Sequence, residues 1–292
     1  MEEFFDQEFL ARLEHLSLQT RRIRAGQHSG ERRSPHKGSS VEFADFRNYS
    51  IGDDFRHIDW NAYARTEKLF LKLFMEEQDL LLNIFIDVSQ SMEWGDPPKN
   101  RLVRQLAGAF AYLALASYDR VAVGGCSDGL DYYLPPVRGR SSLARVWDFV
   151  AGLPIGGKTD LNQALRDYGQ YARGPGVALV LSDFLSPGGF RDGIKYLQYL
   201  KQEVILLQVL SPDDLNPRLR GDLRLVDSET GEAREVTITA GLLKVYRRKL
   251  AEFTADIQGF CRQRGMSFIQ LSSTESFEDV ILRILPRAGV LG

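Results

Sequence analysis

Two apolar runs that each end in aspartate constrain this chain more than any other feature. Residues 80–87 read LLLNIFID and residues 177–183 read VALVLSD. Such runs are short for helices and suit strands covered on both faces, as in a parallel sheet. Residues 120–126 (RVAVGGC) and 203–210 add two more buried strands, with a short one at 132–134 and another at 267–271. Between them, residues 102–118, 143–150, 161–171, 190–200, 242–264 and 277–284 carry helical patterns. Strands alternating with helices predict an α/β fold with a doubly wound, mostly parallel sheet.

One segment breaks that alternation. In residues 222–239 (DLRLVDSETGEAREVTIT), two alternating runs flank Ser228-Glu229-Thr230-Gly231-Glu232, which predicts an inserted β-hairpin. The front of the chain is also irregular. Phe5, Phe9, Leu10, Leu13 and Leu16 recur at helical spacing, and a basic Gly/Ser-containing stretch follows over 20–40. That stretch reads as a solvated loop or as a docking strip for an acidic partner. Residues 41–65 mix aromatics, carboxylates and arginines, which predicts a compact knot held by charge-assisted hydrogen bonds. Within it, Asp53-Asp54 reads as a turn cap or a partner of a nearby arginine rather than as a metal site. A strand is expected over 69–76.

These readings divide the chain three ways. Residues 1–37 form an N-terminal helix and basic loop. Residues 38–78 plus 222–239 form a small β-rich subdomain. Residues 79–221 plus 240–288 form the α/β domain.

Composition excludes several classes of protein. With 292 residues the chain can bury a large core without disulfides or structural metal. Its formal charge of −2 gives no global attraction to nucleic acid or acidic membranes, and the basic loop lacks the aromatics of a single-strand binding surface. The apolar runs fall short of the ~20 residues needed to span a bilayer. The opening residues Met1-Glu2-Glu3 are acidic where a secretory signal is basic, so a cytoplasmic protein is expected. Cys126 and Cys261 read as reduced, buried thiols.

In an open parallel sheet, ligands gather beyond the carboxyl ends of the strands. The first aspartate-ending strand leads into Asp87-Val88-Ser89-Gln90-Ser91, and the second ends Leu181-Ser182-Asp183. Between them in sequence, Gly156-Gly157-Lys158-Thr159-Asp160 enters a helix. Each motif alone is common, because Asp, Ser and Thr also cap turns and helices. Together they bring two carboxylates and three hydroxyls to one sheet edge. An all-oxygen set of low charge suits a hard divalent cation, Mg2+ or Mn2+, and leaves room for a carboxylate from another molecule.

That combination resembles the von Willebrand factor type A fold and its metal-ion-dependent adhesion site. The resemblance implies metal ligation by Asp87, Ser89, Ser91, Thr159 and Asp183, with a partner's Glu or Asp completing the shell. A second resemblance is carried by Glu42–Trp60, which fills every position of E-F-x-x-x-R-x-Y-x-x-G-D-D-x-R-x-I-D-W. Ahead of a type A core, this stretch is similar to the bacterial MoxR-associated family called domain of unknown function 58. It implies an adaptor that works with a MoxR-type AAA+ ATPase or its client.

The leading expectation is therefore a metal-dependent protein-binding adaptor with no catalytic residues. The alternative is a metal-assisted phosphohydrolase, since an aspartate after a strand can act as a nucleophile. Against it, the position two residues after Asp87 is Ser89 rather than a second aspartate, and neither a Walker A loop nor a placed histidine base is present. A nucleic-acid contact through residues 21–37 is the weakest reading.

Overall fold

A computed structural model describes residues 42–50, 58–75 and 80–292, together with residues 9, 12, 13, 15–19, 53 and 55. The basic stretch 20–40 and Asp54 lie outside the described residues. The chain divides into two compact units, residues 21–79 and the remainder.

In the smaller unit, β1 (Glu42–Asn48) pairs antiparallel with β2 (Phe70–Met75). Between them lies α1 (Trp60–Thr66), started by Asp59, whose carboxylate accepts from the amides of Asn61 and Ala62. Asp53 closes a turn by accepting from the Ser50 amide at 2.8 Å, the capping role expected for it.

The larger unit is built on a six-stranded sheet. Its strands are β3 (Leu81–Asp87), β4 (Arg120–Cys126), β5 (Leu130–Arg138), β6 (Gly176–Ser182), β7 (Gln202–Leu210) and β10 (Ser267–Ser272), in the order β10-β7-β6-β3-β4-β5. All neighbours are parallel except β4 and β5. The expected doubly wound, mostly parallel sheet is therefore what forms. The expected short strand at 132–134 is longer, over nine residues, and lies at the edge of the sheet. Pro135 and Pro136 fall where the pairing with β4 shifts register, between Leu134 and Val137, so their missing N–H groups interrupt no regular ladder.

Every residue of β3 and β6 is buried, as continuous apolar runs require when helices cover both faces. On one face Phe85, Ala178, Val180, Val204 and Leu206 pack against α4 (Leu161–Asp167), α5 (Arg191–Tyr199) and the C-terminal half of α7 (Ala240–Arg264). The alternate residues, including Leu82, Ile84 and Ile86, face the opposite side, where α2 (Lys99–Ala116) and α3 (Leu143–Gly152) lie. Thirteen of the eighteen residues of α2 are buried, so its alanines and leucines serve packing all round the helix. Cys126 and Cys261 are free and buried.

Two expectations about domain boundaries are corrected. First, residues 1–20 group with the α/β unit rather than with the basic loop. Phe9 and Leu13 are buried, Phe9 packs against Phe277, and Leu18 bridges Leu291, so these three side chains are used against the core, while Phe5 and Leu10 lie outside the described residues. Second, the hairpin of β8 (Gly221–Val226) and β9 (Ala233–Ile238) forms its own two-stranded sheet and groups with the α/β unit, not with residues 38–78. Its strands bury almost nothing; a side-chain contact at its tip ties it to the core.

Candidate metal centre

Chain order creates the site. From β3 the chain moves to one side of the sheet for β4 and returns on the other side for β6, so a crevice opens beyond the carboxyl end of β3. Asp87 closes β3, and Asp183 follows immediately after its neighbour β6.

The Asp87 carboxylate is buried and accepts three hydrogen bonds. Ser89 donates to Oδ1 from its amide at 3.0 Å and from its hydroxyl at 2.6 Å. Ser182 donates its hydroxyl to Oδ2 at 2.6 Å. Burial pushes the Asp87 carboxyl up, to about 6, with the negative charge of Asp183 adding to the rise and the serine bonds opposing it. An isolated anion here is costly, and a cation beside it would relieve that cost.

Ser89 and Ser91 place their hydroxyl oxygens 3.0 Å apart. That spacing permits a hydrogen bond, and it also matches the edge of an octahedron with metal–oxygen bonds of roughly 2.0–2.1 Å. Ser89 caps a short 3-10 turn (Gln90–Glu93) and Ser91 is its second residue, which brings the two hydroxyls together.

The loop carrying Thr159 is sewn to this segment by the backbone. Gly156 donates to the Val88 carbonyl at 2.8 Å, and Gln90 donates to the Gly157 carbonyl at 3.2 Å. Gly157 sits at φ +80, a backbone conformation that a side chain would strain, so glycine at this position lets the loop make the turn. On the other side, Ser186 donates to the Thr159 carbonyl at 3.1 Å, which joins the loop after β6. The three sequence-predicted segments do meet. Asp160 serves as the N-cap of α4 through the Gln163 amide, while Thr159 is turned to a different partner: its hydroxyl donates to Glu229 at 2.6 Å and its amide at 3.0 Å.

Asp183 is not a solvated strand end. It is fully buried and meets the ammonium of Lys99 at 2.5 Å, while Leu185 donates its amide to the other oxygen at 2.9 Å. Lys99 also faces Asp214 at 3.2 Å. Burial alone would pull the Lys99 ammonium down, but Asp183 and Asp214 outweigh it and hold its affinity for the proton above normal. A cation in the first turn of a helix opposes the macrodipole, so these two carboxylates are what stabilise it there. Asp214 is positioned by a capping box with Ser211 at the start of α6 (Pro212–Leu215). Gln208 completes the floor by donating to the Asp183 carbonyl at 2.9 Å.

Sequence reasoning missed Lys99, Ser182, Asp214, Gln208 and Glu229. Two of them carried a signal. Lys99 follows Pro97-Pro98 at a helix start, where a basic residue needs a reason, and Ser211-Pro212-Asp213-Asp214 is a legible capping box. Glu229 looks like any turn residue.

A cavity of about 230 Å³ opens beside these groups, lined by Ser91, Trp94, Lys99, Asp183, Asp214 and Glu229 among others. Among the described residues no three His, Cys, Asp or Glu side chains converge as a metal cage. The donor set is instead hydroxyl-rich and all oxygen, and its acidic groups outnumber Lys99. It fits a hard divalent cation held by Asp87, Ser89 and Ser91, with Lys99 as a fixed competing charge.

The sheet order and the loops at its carboxyl edge define a doubly wound α/β domain with a crevice at the switch between β3 and β6. The chain belongs to the family described as "Protein of unknown function DUF58", which matches residues 45–255. It is 26% identical over 285 residues to an uncharacterized protein of Mycobacterium tuberculosis, covering 96% of this chain and 90% of that one. Among solved structures it is similar to a conserved hypothetical protein BatB of Bacteroides thetaiotaomicron, at 14% identity and a TM-score of 0.43 over 72% of this chain and 98% of that one. It is also similar to a von Willebrand factor type A protein of Catenulispora acidiphila, at 16% identity and a TM-score of 0.36 over 46% of this chain and 34% of that one. Among the described residues, no helix is long and apolar enough to cross a membrane.

Proposed function

We propose that this protein is a metal-dependent adaptor that captures an acidic side chain of a partner protein. The observation that carries the reading is the buried Asp87–Ser89 pair with half-buried Ser91 at the topological switch of the sheet, opening at Ser91 onto a cavity of about 230 Å³. Asp87, Ser89 and Ser91 would hold Mg2+ or Mn2+, with Thr159 and Asp183 contributing beside them. The bound ion would supply a Lewis-acidic position for a carboxylate oxygen. Asp183, already engaged by Lys99 and the Leu185 amide, is suited to act on the ion through water.

A binding role is favoured over phosphohydrolysis. Both oxygens of Asp87 accept hydrogen bonds from serines, which blunts it as a nucleophile. A MoxR-type AAA+ ATPase, or a client of one, is the partner we propose, and the cytoplasm its setting. Co-purification tests the reading. Wild type should retain its partner in Mg2+ and lose it in EDTA, and Asp87→Ala should lose it in both while staying folded. Retention of the same partner under all four conditions would refute the adaptor mechanism.

A further inference from the structure

The tip of the β8–β9 hairpin presents a carboxylate to the site from within the same chain. Glu229 accepts from the Thr159 hydroxyl at 2.6 Å through one oxygen and from the Thr159 amide at 3.0 Å through the other, across 70 residues of sequence. From Arg224 to Glu235 every residue is exposed except Glu229. The hairpin therefore makes little use of its own strands for anchorage, and this one side chain reaches in.

The tip is shaped to deliver it. Asp227 accepts from the amides of Glu229 at 2.9 Å and Thr230 at 2.8 Å. The Asp227 amide donates to the Glu232 carbonyl at 2.8 Å, and Gly231 donates to the Asp227 carbonyl at 2.9 Å with φ +73. A turn fixed by four hydrogen bonds holds Glu229 with little entropy left to lose on docking. Asp227, Ser228 and Glu229 form one wall of the cavity whose other wall carries Ser91, Lys99 and Asp183.

We propose that Glu229 is a tethered occupant of the carboxylate-capture position, and that a partner gains the site by presenting a glutamate or aspartate on a tight turn that displaces the hairpin tip. This rests on the reading of the site as a metal-dependent carboxylate binder. Closed, the hairpin blocks the cavity with a group of the same chemistry as the partner's. Open, it uncovers Thr159 and the Ser91 side of the cavity together. A tethered group acts at an effective concentration on the order of millimolar or above, so a free ligand must outcompete it.

The test uses the full chain, wild type and Glu229→Ala, with Mn2+ as the ion and acetate as the carboxylate probe. Water-proton relaxation reports Mn2+ binding and the displacement of its waters by acetate. Hydrogen exchange reports the Thr159 amide and the hairpin, with β3 as the control for folding. The proposal expects Mn2+ to bind both proteins, acetate to act at about tenfold lower concentration on Glu229→Ala, and the Thr159 amide to lose protection only in that variant. Bound Mn2+ with equal acetate response in the two proteins would overturn the tethered-occupant proposal and leave the metal site standing. Absence of Mn2+ binding in both would overturn the metal reading and this proposal with it. If β3 exchange shows that Glu229→Ala is unfolded, Glu229→Gln replaces it with the same expectations for acetate.

Discussion

Lys99→Met is the substitution whose consequences follow most directly from the geometry. Methionine keeps the length and apolar stem of the lysine but deletes the ammonium that sits 2.5 Å from Asp183 and 3.2 Å from Asp214. The Lys99 and Asp183 side chains are each only 2% exposed, so water cannot take the place of the lost charge. Removing one partner of a buried pair typically costs about 3–5 kcal/mol. Asp183 keeps its bond from the Leu185 amide and Asp214 is less buried, which favours the lower end, about 3 kcal/mol. For a domain of this size that is a fall of roughly 6–12 °C in Tm. Thermal unfolding in EDTA measures it. Divalent cation should then restore more stability to the variant than to wild type, because an ion can replace the missing counter-charge. At an ion concentration a hundred times Kd the recovery is about 2.7 kcal/mol. A Tm equal to that of wild type in EDTA, or Mg2+ shifts equal in the two proteins, would refute the assignment of Lys99 as the site's fixed charge.

Other perturbations follow from the same contacts. Ser182→Ala removes the donor to Asp87 Oδ2 and the acceptor for the Phe184 amide, and should cost about 1–3 kcal/mol by chemical denaturation. Gly193→Ala would bring a methyl within 3.0 Å of the Leu161 carbonyl and Leu165, forcing α5 away from α4; a loss of about 1–3 kcal/mol is expected, with weaker ion binding because α4 follows directly from the Thr159 loop. Burial pushes the Cys261 thiol up to about 12, with Arg191 pulling the other way, and burial raises Cys126 as well. Neither thiol should react with iodoacetamide at pH 8 in the native state, and both should react in urea, as mass spectrometry would record.

The sheet was legible in the sequence because its strands are buried on both faces. Burial of that kind demands the uninterrupted runs at 80–87 and 177–183, and few other structures do. The edge strand was read too short because Pro135 and Pro136 mimic a break. The meeting of the loops that carry Asp87, Ser91, Thr159 and Asp183 was legible for a similar reason: their place at the sheet edge follows from strand order. What escaped notice depends on contacts between distant segments. Lys99 meets Asp183 across 84 residues and Thr159 meets Glu229 across 70, and no local pattern encodes either meeting. Local alternation announces the hairpin but not the unit it joins. Alternation fixes strand pairing, whereas the contact between Glu229 at the tip of the ribbon and Thr159 has no local pattern.

The measurement that bears most directly on the central claim is Mn2+ binding by electron paramagnetic resonance to wild type and to Ser89→Ala/Ser91→Ala. Loss of these two hydroxyls leaves Asp87, Lys99 and the core in place, so folding is expected to survive and can be checked by circular dichroism. Wild type should bind one Mn2+ per chain, displaced by excess Mg2+, and the double variant should show no saturable site. Equal binding by the two proteins, or no saturable site in wild type, would contradict the central claim.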